Sequence, residues 1–304
     1  MRISAVFALL LALTLPASLQ AQTFGGIGTR AEGMAGAFVA VADDATAAYW
    51  NPAGIATGAT FDVQVSGGSG STVFVGAALP VLGASFYRTR HATALTTVPD
   101  SPDRENEGSG VVPTRTVSTT NIGVTLVQTV ARGVVIGTTA RAVGLDVEGV
   151  DTSTTFDLDA GAMVSASGFR FGLAARNLRE PGFQVESGVI RMNRQFRVGA
   201  AFAPRSLPTG VHGPYSIAFD ADLTTTPGPR GDQRGAAVGG EYWLAKGLIG
   251  LRTGVRWSTL GDSNKAFAAG FTARLPKSIY VEGQVTKPDE SDQIEWLAGA
   301  RITF

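Results

Sequence analysis

From about Phe61 to Phe304 the chain alternates apolar with small or polar residues, the period-two signature of strands with two unlike faces. The last segment shows it best. Ile294, Trp296, Ala298, Ala300, Ile302 and Phe304 fall on one face, and Gln293, Glu295, Gly299, Arg301 and Thr303 on the other, with Leu297 the exception. The pattern predicts fourteen strands, over residues 61–67, 72–79, 81–90, 117–130, 133–146, 155–167, 169–178, 194–204, 214–225, 234–246, 247–259, 263–275, 277–288 and 293–304. Tight turns at Leu79-Pro80, Ala131-Arg132-Gly133, Ser167-Gly168, Ala245-Lys246-Gly247 and Pro276 interleave with longer polar loops at 91–116, 179–193 and 226–233. One longish connection, 205–213, falls on the short-turn side. An even number of antiparallel strands with short turns at one end and long loops at the other predicts a transmembrane antiparallel β-barrel.

A soluble β-sandwich also alternates. Segments of 11–13 residues exceed the usual five or six and suit a tilted bilayer crossing of roughly 9–11. The charges are also segregated. The polar faces carry the acids Asp157, Asp159, Asp220, Asp222, Glu241, Glu282 and Glu295. They also carry the arginines Arg141, Arg170, Arg176, Arg197, Arg252, Arg256, Arg274 and Arg301. An arginine facing lipid at mid-bilayer costs about 2–4 kcal/mol, which predicts that these charges line an enclosed lumen. Their near-balance favours locking an internal element to the wall over an ion-selective ring, which shows one dominant sign.

Residues 22–58 do not alternate and are crowded with Gly and Ala. Asp43 or Asp44 is placed to cap a short helix through Ala45 to Trp50; Asn51 ends it and caps the next turn, with Pro52 at its first position. A fourteen-stranded barrel is roughly 25 Å across, too wide for its own side chains to fill. This compact block is therefore expected to act as a plug. Ahead of it, Met1-Arg2, an apolar run from Ile3 to Leu15 and a small-residue end at Ala21 describe a secretory signal peptide cleaved after Ala21. At about 13 apolar residues the run is too short to span a bilayer as a helix. The expected division is signal peptide 1–21, hatch 22–58 and outer-membrane barrel 59–304.

Composition narrows the classes further. Gly at 39 of 304 residues, charged residues at 16% and 16 Phe suit strands that face an apolar medium. No cysteine excludes a disulfide scaffold, and 25 Lys+Arg against 25 Asp+Glu argue against a nucleic-acid surface. No enzyme, cofactor or metal is expected. On the barrel topology His91 and His212 lie at opposite ends and cannot share a site. Gly26-Ile27-Gly28 follows no strand, so it is no dinucleotide loop. The acidic run 100–107 reads as a solvated loop, with Ca²⁺ a minor alternative. Trp243, Trp257, Trp296 and Phe304 are candidates for interfacial girdles, and Trp50 for packing inside the hatch.

Two stretches carry a resemblance. Gly28-Thr29-Arg30-Ala31-Glu32-Gly33-Met34-Ala35-Gly36-Ala37-Phe38 and Ala42-Asp43-Asp44-Ala45-Thr46-Ala47-Ala48-Tyr49-Trp50-Asn51-Pro52-Ala53-Gly54 resemble the hatch of the FadL/TodX outer-membrane transport family. The hatch motif maps onto Gly36, Asp43, Asp44, Asn51, Pro52 and Ala53. Phe304 is similar to the C-terminal aromatic that the barrel-assembly machinery reads. The stretch from Gly172 to Leu178 and the short loops resemble the PorV/PorQ-type branch. The resemblance implies an outer-membrane barrel, embedded in lipid, that passes small hydrophobic molecules by diffusion. The steps expected are capture at the outer loops, hatch rearrangement around Asn51-Pro52, then lateral or periplasmic release. The alternative it leaves open is a PorV-like accessory that docks secretion-system proteins.

Overall fold

The computed structural model describes residues 26–69, 72–94, 114–147, 153–185, 188–202, 204, 215–228, 231–261, 264–289 and 292–304. The signal peptide, His212, the acidic run 100–107 and all of 205–213 lie outside the described residues, as does the side chain of His91.

Fourteen antiparallel strands close into one barrel. In chain order they are β1 (Asp62–Gly68), β2 (Val73–Leu79), β3 (Leu82–Ala94), β4 (Thr114–Ala131), β5 (Val134–Val147), β6 (Ser153–Ala166) and β7 (Phe169–Arg176). After the hairpin β8 (Gly182–Val185) and β9 (Gly188–Arg191) come β10 (Gln195–Phe202) and β11 (Tyr215–Asp222). A second hairpin, β12 (Thr226–Gly228) and β13 (Gly231–Gln233), precedes β14 (Gly235–Leu244), β15 (Ile249–Ser258), β16 (Lys265–Leu275), β17 (Ile279–Pro288) and β18 (Glu295–Thr303). Every predicted strand has its counterpart in the barrel wall. The two hairpins lie in stretches the alternation had assigned to plain loops, and each forms its own two-stranded sheet.

The seam joins the first strand to the last. Asp62 pairs with Thr303 and Val65 with Ala300. Just beyond, Phe61 and Phe304 exchange both backbone hydrogen bonds, at 3.1 and 2.9 Å. Their rings stack 5.9 Å apart. With this closure the barrel sheet has no unpaired edge, the condition for a sheet surrounded by hydrocarbon. At the turn end, Ser167 and Gly168 both take left-handed backbone (φ 50° and 87°), as a two-residue hairpin requires.

Several strands are shorter than expected: β2 has 7 residues and β7, β10 and β11 have 8, while β4 runs to 18. Local geometry ends them. Asn177 takes φ 55° directly after β7, which breaks the pleat and turns the chain into the β8–β9 loop.

Burial alternates as the sequence pattern requires. Ile122, Val124, Leu126, Phe171, Ile217 and Phe267 stand outward and exposed. Asp157, Arg141, Asp220, Glu241, Arg252 and Glu282 point inward and are buried. Leu297, the exception to the last strand's pattern, is buried on the inner side. Trp296 faces outward, but Trp243 does not belong to an outer girdle. It lies inside, edge-on to Tyr280 at 6.4 Å and 5.7 Å from the Arg252 guanidinium, on the parity shared with Glu241.

The N-terminal segment occupies the interior. It contains α1 (Thr29–Gly33), α2 (Ala47–Trp50) and a 3-10 turn (Pro52–Thr57), and residues 27–55 are buried throughout. The wall makes room by omitting side chains. A Cβ at Gly239 would lie 2.4 Å from the Met34 carbonyl oxygen, at Gly172 2.6 Å from that of Val39, and at Gly137 2.5 Å from the Pro52 carbonyl carbon. A Cβ at Gly161, Gly199 or Gly254 would approach the segment's backbone at 2.5–3.0 Å, one at Gly270 would meet Gly33 Cα at 3.2 Å, and one at Gly83 would meet the Ile55 side chain. The glycine-rich composition is thus explained in part by close approach of two backbones.

Two outcomes are expected in bilayer refolding titrations with urea. Ile122→Arg, midway along the outer face of β4, lowers stability by about 2–4 kcal/mol. Gly239→Ala costs about 1–3 kcal/mol by overpacking. Gly240→Ala, whose Cβ meets nothing nearer than the Ser216 carbonyl at 3.5 Å, stays close to the parent.

Candidate functional site

The segment carries few charges, and all are answered. Arg30, in α1, directs Nε to Glu241 at 2.8 Å and a terminal nitrogen to Asp43. A second contact reaches Asp44 at 3.4 Å. Glu241 also takes Arg252 at 2.6 Å, so one wall carboxylate is shared by one segment arginine and one wall arginine. Asp44 meets Arg301 at 3.7 Å, and Arg301 meets Asp62 at 3.6 Å. Asp43 is approached by Arg170 at 3.5 Å, and Glu32 by Arg256 at 2.9 Å. The segment contributes one cation and three carboxylates; the wall answers with Arg170, Arg256, Arg301 and the Glu241–Arg252 pair. The charges are complementary.

Backbone groups are answered too. Asp220 accepts the N–H groups of Phe38 and Val39, both at 2.8 Å. Asp62 accepts that of Ala45 at 3.0 Å, and the Glu282 carboxylate accepts the Thr29 hydroxyl. Thr139 donates to the Ala48 carbonyl at 3.2 Å. Asn51 ties three pieces together: its amide donates to the Val39 carbonyl at 2.8 Å and to the Ala162 carbonyl of β6 at 3.2 Å, while its oxygen accepts from Ala53 at 3.2 Å. Pro52 stands at the first position of the following turn, as its spacing predicted. Neither candidate side chain caps α2, whose N-cap is Thr46; Asp44 instead accepts the Thr46 N–H at 3.0 Å just ahead of it. Gly36 takes φ 81° beside the Trp50 ring, and Trp50 donates to the Ile27 carbonyl at 2.9 Å.

A second cluster lies toward the loop end. Arg141 reaches Asp157, Asp159 at 2.9 Å and Asn121 at 2.6 Å. Arg176 packs its guanidinium 3.8 Å above the Tyr49 ring, and Tyr49 meets Tyr87 edge-on at 5.4 Å. Asp157 also accepts the Arg179 N–H at 3.1 Å and so anchors the β8–β9 loop. Val143 and Leu145 of β5 and Phe183 and Met192 of that loop are buried as well.

Nearly all the lumen charges read from sequence face inward. Asp222 pairs with Arg197 at 3.2 Å, Glu282 is buried, and Arg274 lies 5.8 Å from the Tyr280 ring centre. Glu295 is different: it stands at the loop-end rim with a side chain 57% exposed, 3.8 Å from Arg256. Arg30 and Glu32 were not singled out from sequence, because faces cannot be assigned where residues do not alternate; Asp62, at the start of the first predicted strand, was not singled out either. The signal was available: with Asp43 and Asp44, Arg30 and Glu32 are the only charges between residues 22 and 58, and a charge in a buried small-residue block requires a partner.

Solved structures share this architecture. The CymD monoaromatic hydrocarbon channel superposes with TM-score 0.67 at 12% identity, over 93% of this chain and 99% of that one. A Pseudomonas aeruginosa FadL homologue gives 0.61 at 12% identity, over 94% and 99%. The Pseudomonas putida toluene transporter TodX gives 0.61 at 10% identity, over 93% and 99%. Residues 146–222 match the family model described as F plasmid transfer operon, TraF, protein. No curated protein matches the sequence.

Removing the shared carboxylate tests the arrangement. Glu241→Gln leaves Arg252 with no carboxylate in contact, and breaking a buried pair in this way costs about 3–5 kcal/mol. The expected result is a lower urea midpoint and faster proteolysis within residues 26–58, with the barrel's β-sheet circular dichroism retained.

Proposed function

We propose that this chain, which has the barrel fold of the CymD, FadL and TodX structures, is an outer-membrane channel for small hydrophobic molecules, closed at rest by its own N-terminal segment. The observation that carries the reading is the segment's seat: a backbone pressed against wall glycines and bound to the wall by ion pairs through the middle of the lumen. Two of the similar structures, a monoaromatic hydrocarbon channel and a toluene transporter, support the substrate class.

In this reading a hydrophobic molecule is captured at the loop end, against Val143, Leu145, Phe183 and Met192. Passage then requires the segment to give way around Asn51 and Pro52, followed by lateral or periplasmic release. Asn51 is the point where movement breaks most contacts at once, since its one side chain joins Val39, Ala53 and the β6 wall. The inward charges then serve as a reversible lock. Signal peptide 1–21, hatch 22–58 and barrel 59–304 are the corresponding divisions, with Phe304 presented to the barrel-assembly machinery during insertion.

Two measurements test this. Cells producing the chain without residues 22–58 are expected to admit large polar antibiotics and dyes that the intact chain excludes; equal leakage overturns the plug. Proteoliposomes of the intact chain are expected to take up toluene faster than empty liposomes. Absence of uptake, together with stable co-purification of secretion components, replaces the channel with a docking accessory.

A further inference from the structure

The outer wall carries almost no charge, and where its charges lie is informative. Among the described residues, the charged side chains that strands direct outward are Arg88 and Arg90 on β3, Asp146 on β5, Lys265 on β16 and Lys287 on β17. Asp146, Lys265 and Lys287 stand at or next to the loop end of their strands, while Arg88 pairs with Val73, the first residue of β2, and Arg90 lies beyond that register. Each cation continues an apolar outward column by one or two steps: Phe86 leads to Arg88 and Arg90, Phe267 to Lys265, and Val285 to Lys287. The two groups lie on β3 and on β16–β17, separated by β2, β1 and β18, so the cations gather on the side of the rim that holds the seam. Arg88 contacts Asp146 at 3.3 Å and Lys287 contacts Asp292 at 3.5 Å, both exposed pairs of the kind that contribute little and are readily exchanged for a stronger anion. Arg90 and Lys265 are exposed as well.

We infer that this rim binds the phosphate groups of lipids in the leaflet on the loop side. The inference rests on the barrel reading above, which sets the apolar belt in hydrocarbon. Four cations against Asp146 on the wall and Asp292 in the adjoining loop leave a net positive charge where the belt ends, which matches the charge of a phosphate layer. Long basic side chains bury their stems along the apolar wall while their heads reach the interface, which is how Arg88 and Lys287 are half-exposed (35% and 48%). The cations at the other end, Arg132, Lys246 and Lys277, sit on turn tips and not on the wall, so they extend past the belt's edge.

The test uses the full mature chain in phosphatidylcholine vesicles, with spin-labelled phosphatidic acid and spin-labelled phosphatidylcholine as probes of wall-contacting lipid. The parent is expected to prefer phosphatidic acid, more so at low salt. The variant Arg88→Ser, Arg90→Ser, Lys265→Gln, Lys287→Gln is expected to lose that preference by about fivefold or more, from about fivefold per interfacial cation. The variant Arg132→Gln, Lys246→Gln, Lys277→Gln is expected to keep it. A preference that survives in the first variant, or falls only in the second, overturns the inference. If neither probe is immobilised by the parent, the barrel is not in the bilayer, and the reading beneath the proposal fails with it.

Discussion

The constraint on which this structure turns is that a polar backbone has been placed inside a closed sheet. A barrel wall satisfies its own hydrogen bonds, so it offers nothing to a guest except side chains and the space it leaves open. Any group on the guest that is left unanswered carries its full desolvation cost. The wall meets this in two ways. Inward glycines let the guest's carbonyls approach at Met34, Val39 and Pro52, inward carboxylates take up the N–H groups of Phe38, Val39 and Ala45, and the Thr139 hydroxyl donates to the Ala48 carbonyl. Composition and fold are two expressions of that requirement: glycine where backbones touch, charge where they do not.

The ionic contacts do more than compensate for burial. A segment held only by apolar packing has no preferred seat among the inward faces of fourteen strands. Arg30 between Asp43 and Glu241, and Arg301 between Asp44 and Asp62, are satisfied in one placement, since each bond has a partner on a different element. Removing one partner leaves a buried charge exposed to nothing, whereas a coordinated shift exchanges several bonds at once. Such a network suits an element with two discrete positions better than one that slides.

How much of this was legible beforehand follows from period and context. The wall could be read because alternation is a local property: each residue's face is set by its neighbours two away, as Phe169, Phe171 and Leu173 against Arg170 and Arg176 show. Strand ends were less legible, because they depend on single residues such as Asn177, whose left-handed backbone has no signature in the alternation. The short hairpins β8–β9 and β12–β13 hold too few residues for a period to be recognised. Trp243 was misassigned because aromatic girdles suggest an outward ring, while its parity with Glu241 already placed it inside. Arg30, Glu32 and Asp62 escaped notice because their role exists only in three dimensions: Arg30 and Glu241 are 211 residues apart in the chain.

The seam shows why the segment and the barrel are one folding problem. Strand β1 begins within a few residues of the 3-10 turn, and its first residue, Asp62, holds both the Ala45 N–H and Arg301 of β18. Closing the seam therefore brings the last strand, the first strand and the internal segment to a single carboxylate. A barrel that closed ahead of its guest would leave Asp62 and Arg301 buried with half their partners, and Glu241 would keep Arg252 but lack Arg30. Seating the segment and zipping β1 to β18 satisfy the same set of charges, so each step makes the other more favourable. The N-terminal block is in this sense part of the interior of the barrel, and any movement that opens the lumen draws on the same bonds that complete the fold.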